Sequence, residues 1–352
     1  MADLFDIDEF GDELAAAEVF EHQRFVVDKG QTLQRIDKYL TEKMAGTSRN
    51  RIQEAAEAGS VLVNGKPVKS NYRVKPLDVI SIVLDHPKTD YTIVPQDIPL
   101  DIVYEDDDIV VVNKQPGLVV HPGVGNCDGT LLNAIAWHLK DNPAFDANDP
   151  RIGLVHRIDK DTSGLLLIAK NEAAKSNLGA QFFNKTTERT YNALVWGVVK
   201  TDEGTITGDL ARDPRDRTAY TVFPEGENPL AKHAVTHYRV LKRFAYVTLV
   251  ECKLETGRTH QIRVHMKHIG HTLFNDAHYG GNEVLKGVRT AKYKQFVQNC
   301  FAACPRQALH AKTLGFRHPT TNEWMQFDSV LPDDMQALID KWQRYAVQPD
   351  EI

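Results

Sequence analysis

The sequence predicts an α+β protein of two domains, one of them large enough for a substantial core. Three observations lead there. A chain of 352 residues is long enough for two domains. Segments of helical and of strand period are mixed without the strict βαβ order of a doubly wound sheet. A polar stretch with Pro87, Pro95 and Pro99 separates a small first set of elements from a longer second set. Hydrophobic residues at 42% and charged residues at 26% are ordinary for a soluble globular protein. No run nears the roughly 18–20 apolar residues of a membrane span, and the acidic N-terminus is not built as a secretory signal. Four scattered cysteines (Cys127, Cys252, Cys300 and Cys304) are read as free thiols in a reducing cytoplasm. No interface signature is evident, and a monomer is expected.

A net charge of −6 argues against a polyanionic partner, but its distribution reverses that reading. Residues 1–24 hold eight acids and one base, so the rest of the chain is close to neutral. Residues 31–82 carry nine Lys or Arg against five Asp or Glu, a local basic excess that attracts phosphate. The expected boundaries are an acidic tail over 1–28, a small α+β domain over 29–86, a linker over 87–100 and a larger domain over 101–346.

In the small domain, Leu33, Ile36, Leu40 and Met44 fall at helical spacing. A second helix begins at the cap Ser48, buries Ile52, Ala55 and Ala56, and ends at Gly59. Asn64-Gly65 between Val61-Leu62-Val63 and Val68 signals a hairpin, and Val79–Ile82 reads as another strand. In the larger domain, Val103, Ile109–Val112, Tyr191–Trp196 and Val247–Lys253 read as strands. Residues 172–184 read as a helix with Ala174, Leu178, Phe182 and Phe183 turned inward. Thr259 is placed as the cap of a helix running to about His268, and a last helix spans Asp333–Tyr345.

Ser48-Arg49-Asn50-Arg51-Ile52, followed by Gly59-Ser60-Val61-Leu62-Val63-Asn64-Gly65-Lys66, resembles the S4-type RNA-binding domain. The resemblance covers about residues 31–82. It implies that the helical pair and the following turn face RNA, with Arg49, Arg51 and Lys66 as contacts.

The most informative stretch is His156-Arg157-Ile158-Asp159-Lys160-Asp161-Thr162-Ser163-Gly164, running into the apolar Leu165–Ala169. A polar loop anchored by a buried strand can hold a side chain rigidly in a cleft. The stretch resembles the His-Arg-Leu-Asp-x-x-Thr-Ser-Gly signature of the RluA/RluD-type pseudouridine synthases, with Ile158 in place of Leu. In that family the Asp after the apolar residue is catalytic, which maps to Asp159. Asp161 does not match that position and is read as structural or solvent-facing.

Thr256-Gly257-Arg258-Thr259-His260-Gln261-Ile262-Arg263-Val264-His265 resembles a second family motif, in which the basic residue at Arg263 pairs with the catalytic carboxylate. Glu188-Arg189-Thr190-Tyr191 resembles the strand whose Tyr stacks on the target base, which maps to Tyr191. Asn113-Lys114-Gln115-Pro116-Gly117-Leu118 and the later Leu309-His310-Ala311 match further family segments, the former with Gln115-Pro116 displaced by one place.

Together the motifs span about residues 30–345, in the family's order. They imply a pseudouridine synthase domain with a mixed, mainly antiparallel sheet behind a small S4-type domain. The implied activity is isomerisation of uridines in structured RNA, most closely that of the subgroup acting on large-subunit ribosomal RNA. Arg157 and Arg258 join the expected RNA contacts. The reaction gains and loses no atoms, so no cofactor is expected.

His265, His268 and His271 recur every three residues, but no acid or Cys cluster completes a metal site, and none is expected. His156 is read as a loop-organising hydrogen bonder. Two other classes make different demands. A non-catalytic RNA-binding assembly factor predicts a degraded pocket. A glycoside hydrolase needs two carboxyls about 5–10 Å apart across a sugar, which Asp159 and Asp161 on one loop rarely supply.

Overall fold

The computed structural model describes residues 20–44, 47–84, 93–123, 126–143 and 153–347. They form two compact units, the smaller built mainly on residues up to Val94 and the larger mainly on those from Pro95. The acidic stretch through residue 19 and much of the expected linker, 85–92, lie outside the described residues.

The smaller unit contains β1 (Phe20–Val26), β2 (Gln34–Arg35), α1 (Ile36–Lys43), α2 (Arg49–Glu57), β3 (Val61–Val63), β4 (Lys66–Pro67), β5 (Arg73–Val74) and β6 (Val79–Leu84). Its sheet runs β1-β6-β3-β4, antiparallel throughout, and β2 pairs with β5. The tail expected through residue 28 is therefore too long, because Phe20–Val26 pairs along β6. Local acidity carries no information about a ladder formed with residues some sixty positions away.

Leu33 lies outside α1 and is exposed, while Ile36, Leu40 and Met44 are buried. The Ser48 hydroxyl accepts a hydrogen bond from the Arg51 N–H and caps α2, whose buried face is Ile52, Ala55 and Ala56. Asn64 and Gly65, both at positive φ, turn β3 into β4 as that dipeptide demands.

The larger unit contains β7 (Ile102–Glu105), β8 (Ile109–Lys114), α3 (Leu131–His138), β9 (Ser163–Ala169), α4 (Glu172–Phe183), β10 (Glu188–Trp196), β11 (Glu203–Asp213) and β12 (Asp216–Phe223). It continues with β13 (Lys232–Arg243), β14 (Val247–Leu254), α5 (Gln261–His268), α6 (Ala291–Ala303), β15 (Leu309–Arg317), β16 (Trp324–Asp328) and α7 (Asp333–Val347). Among the described residues one sheet runs β12-β11-β13-β14-β10-β15-β9-β8-β7, with β16 also on β15. The β15–β9 pair is parallel and the others are antiparallel. The fold is thus α+β with a mainly antiparallel sheet.

Helices α6 and α7 pack Tyr293, Val297, Met335, Leu338 and Trp342 with Trp196 and Leu194 of β10. Ala174 and Leu178 of α4 pack with Leu165 and Leu167 of β9. Phe182 is partly buried there, but Phe183 is 85% exposed rather than inward. Residues 174, 178 and 182 follow the i, i+4 row of one helix face, and the next residue rotates about 100° off it.

Candidate active site

The loop carrying Asp159 is fixed where it enters β9. Gly164 has φ +113°, and a Cβ there would lie 2.2 Å from the Ala311 carbonyl oxygen of β15. Only glycine permits this close parallel approach. The buried Lys114 ammonium donates to the carbonyls of Gln115, Leu118 and Lys160 at 2.9, 2.9 and 2.8 Å. Burial pushes that ammonium down to about 7, against the pull of Asp161 and Asp159, and its three carbonyl acceptors also favour the charged form. Arg306 donates to the Asp161 carbonyl at 2.8 Å and the Ser163 hydroxyl at 3.2 Å. The same guanidinium holds the Asp334 carboxylate of α7 at 2.7 and 2.9 Å. Asp161 contributes a backbone carbonyl to this scaffold and is half-buried.

The opposite wall is the entry to α5. That helix is not capped by Thr259. Its N-cap is His260, held at φ 54°, a left-handed conformation uncommon outside glycine. The buried Gln261 organises this turn. Its Oε1 accepts from the Thr256 hydroxyl at 2.7 Å and the Arg258 N–H at 3.0 Å, and its Nε2 donates to the Val235 carbonyl and the Thr236 hydroxyl, both at 2.9 Å. Val264, one turn on, packs with Leu210, Ala219, Ala234 and Tyr279.

This geometry presents Arg263 to Asp159. Arg263 Nη1 donates to Asp159 Oδ2 at 2.9 Å, while Nε and Nη2 grip Asp276 at 2.8 and 2.9 Å. Asp276 is fully buried, and Asp159 keeps 22% of its side chain exposed. Burial alone would lower the Arg263 pKa, but the two carboxylates overcome it and raise it. His260 Nε2 lies 4.0 Å from the same Asp159 oxygen. Its Nδ1 is 2.8 Å from the Tyr279 hydroxyl, which accepts the Tyr220 N–H at 3.1 Å.

Burial would raise the Asp159 carboxyl, yet His260, Arg263 and Arg157 together hold it below the usual carboxylate range. His260 contributes charge only when protonated, and burial pushes it down to about 4. Near neutral pH the guanidiniums therefore carry the effect, and Asp159 is ionised.

Tyr191, on β10, is buried, and burial raises its hydroxyl pKa, with the Arg189 charge opposing the shift and the Asp159 charge adding to it. Arg157 and Arg258 are exposed, and Arg258 donates to the His233 carbonyl at 3.1 Å. In the smaller unit Lys66 is exposed and Arg51 half-buried. Arg49 is exposed but shares the buried Asp37 carboxylate with Arg35, at 3.1 and 2.9 Å. His265 bonds the Thr236 hydroxyl and His271 the Trp196 carbonyl.

Sequence reasoning missed Asp276, Tyr279, Lys114 and Arg306 as parts of this site. Lys114 was visible inside a family segment. The others carried no spacing signal.

Residues 108–268 match the family model described as RNA pseudouridylate synthase, and residues 34–80 match the S4 domain. An uncharacterized RNA pseudouridine synthase of Chlorobaculum parvum is 48% identical over 316 residues, covering 90% of this chain and 96% of the relative. The ribosomal large subunit pseudouridine synthase D of Vibrio vulnificus is 41% identical over 329 residues, covering 92% of this chain and 97% of the relative. Among solved structures, human RNA pseudouridylate synthase domain containing 1 superposes with a TM-score of 0.50 at 27% identity. That match covers 69% of this chain and 88% of the human one. The chain belongs to the RNA pseudouridylate synthase family and carries an S4 domain ahead of its catalytic domain.

Proposed function

We propose that this enzyme isomerises uridines of large-subunit ribosomal RNA, with Asp159 as catalytic carboxylate, Arg263 as its partner and Tyr191 packing on the uracil. The observation that carries the catalytic assignment is the 2.9 Å contact between Arg263 and a partly exposed Asp159. The ribosomal assignment is supported by the 41% identity, over 92% of this chain, to the Vibrio vulnificus relative named for that RNA.

Pseudouridine formation breaks the bond from the ribose C1′ to a uracil nitrogen, turns the base and joins C1′ to uracil C5. Substrate and product have the same atoms and oxidation level, so the balance calls for no external reactant. An ionised carboxylate beside C1′ serves either course open to the reaction, attack on C1′ or removal of the C2′ proton. Arg263 keeps Asp159 ionised and fixes its direction. The target base leaves its stack at a cost of a few kcal/mol, and packing on Tyr191 returns about 1–3 kcal/mol. Arg157 and Arg258 beside the cleft, and Arg49, Arg51 and Lys66 in the S4 domain, supply phosphate contacts that weaken with salt.

Mapping pseudouridines in cells lacking this gene tests the substrate. Specific large-subunit uridines are expected to stay unmodified and to be restored by the wild-type gene. Intact ribosomal sites with lost transfer RNA sites would overturn the ribosomal assignment.

A further inference from the structure

Three arginines are buried among the described residues: Arg189, Arg263 and Arg306. Two are neutralised, Arg263 by Asp276 and Asp159 and Arg306 by Asp334. Arg189 is only 8% exposed, and among the described residues its guanidinium has neither an ion pair nor a hydrogen bond. Its Nε is sealed from solvent without a partner. Burying a cation without a counter-ion is costly, and buried charges are as a rule paired.

The surroundings hold this guanidinium in place. Its Cζ lies 5.3 Å from the ring centre of Phe182, whose other ring neighbour, His156, stacks at 4.5 Å. His156 Nε2 accepts the Leu167 N–H at 2.9 Å, and burial with the nearby Arg189 charge pushes that imidazole down to about 3, so it adds no charge of its own. Arg189 lies against the turn that leads into α5. A Cβ on Gly257 would come within 2.9 Å of its Nη1, so the missing side chain makes the room. Arg189 and Tyr191 are two residues apart on β10, both buried on either side of the half-buried Thr190, so they project from the same face, and the Arg189 charge acts on the Tyr191 hydroxyl.

We propose that Arg189 is an anion-binding residue of the uridine cleft, taking a phosphodiester of the RNA substrate beside the target nucleotide. The reading rests on the assignment of the Asp159–Tyr191 cleft as the uridine pocket. A planar guanidinium matches the non-bridging oxygens of phosphate in a bidentate fork. A full unbalanced positive charge is better completed by an anion than by a neutral uracil carbonyl.

The test uses the full-length protein and large-subunit ribosomal RNA transcribed in vitro, which contains no pseudouridine. Equilibrium affinity is measured across a salt series for wild type, Arg189→Gln and Arg189→Lys. Loss of one phosphate contact is expected to lower the slope of log affinity against log salt by about 0.7–1. Arg189→Gln should bind about tenfold more weakly at low salt with that reduced slope, raise KM about tenfold and leave kcat within a few-fold. Arg189→Lys should keep the wild-type slope.

An affinity loss with unchanged slope points to a neutral contact and overturns the proposal. So does unchanged affinity, or a weakening that only follows a fall in melting temperature. Should Arg189→Gln fail to fold, Arg189→Met, which keeps the apolar stem against Phe182 and removes the charge, is measured instead, and the same fall in slope is expected. Binding is read without turnover, so this result is separate from whether Asp159→Asn abolishes catalysis.

Discussion

Burial and neighbouring guanidiniums act on Asp159 in opposite directions, and the guanidiniums prevail. Because the folded carboxyl titrates below its unfolded value, its ionisation stabilises the fold above that value, and the contribution is lost as pH falls through the folded pKa. Arg263→Gln leaves Asp159 and the buried Asp276 without their shared cation. Breaking a buried pair this way costs about 3–5 kcal/mol. We expect kcat to fall by about 100-fold and the acid limb of kcat/KM to move to higher pH, read from a pH–rate profile. An unmoved limb would separate Arg263 from the ionisation of Asp159. Both partners were legible, because each sits inside a motif. Asp276 was not, since its neighbours Phe274-Asn275 give no spacing signal and its place opposite Arg263 exists only after folding.

At the scale of elements, α5 shows what a sequence can and cannot reveal. Its existence and end were legible from periodicity, but its start was misplaced at Thr259. The chain turns at His260 with positive φ, and a non-glycine residue announces no such conformation. The side chain that fixes this turn is Gln261, through four hydrogen bonds. Gln261→Ala strips partners from several buried groups, each worth about 1–3 kcal/mol when left unsatisfied. We expect a loss of about 2–4 kcal/mol in urea unfolding and a parallel fall in activity, because Arg263 rides on this helix. The strands β11 to β13 and the helix α6 went unassigned from sequence. Lys232–Arg243 begins and ends in charged, exposed residues that blur the alternation of a strand. The small domain was clearer, because Ser48 and Asn64-Gly65 are local signals whose chemistry fixes a cap and a turn.

Across the whole molecule, the net charge of −6 misleads about the partner, because eight acids fall within the first 24 residues while 31–82 carry a basic excess. The catalytic sheet explains how distant motifs meet. β9 lies parallel to β15, β15 adjoins β10 and β10 adjoins β14, so the loop before β9 and the turn after β14 approach although Asp159 and Arg263 are 104 residues apart. Motif order was readable from the sequence, and strand order was not, because it depends on pairings between remote segments. In the proposed reaction an ionised acid at position 159 performs the chemistry. The most direct test is tritium release from uracil C5 by full-length Asp159→Asn acting on ribosomal RNA. Release at background level is expected, with wild-type RNA affinity and an intact fold. Wild-type release by the folded variant would remove Asp159 from the chemistry.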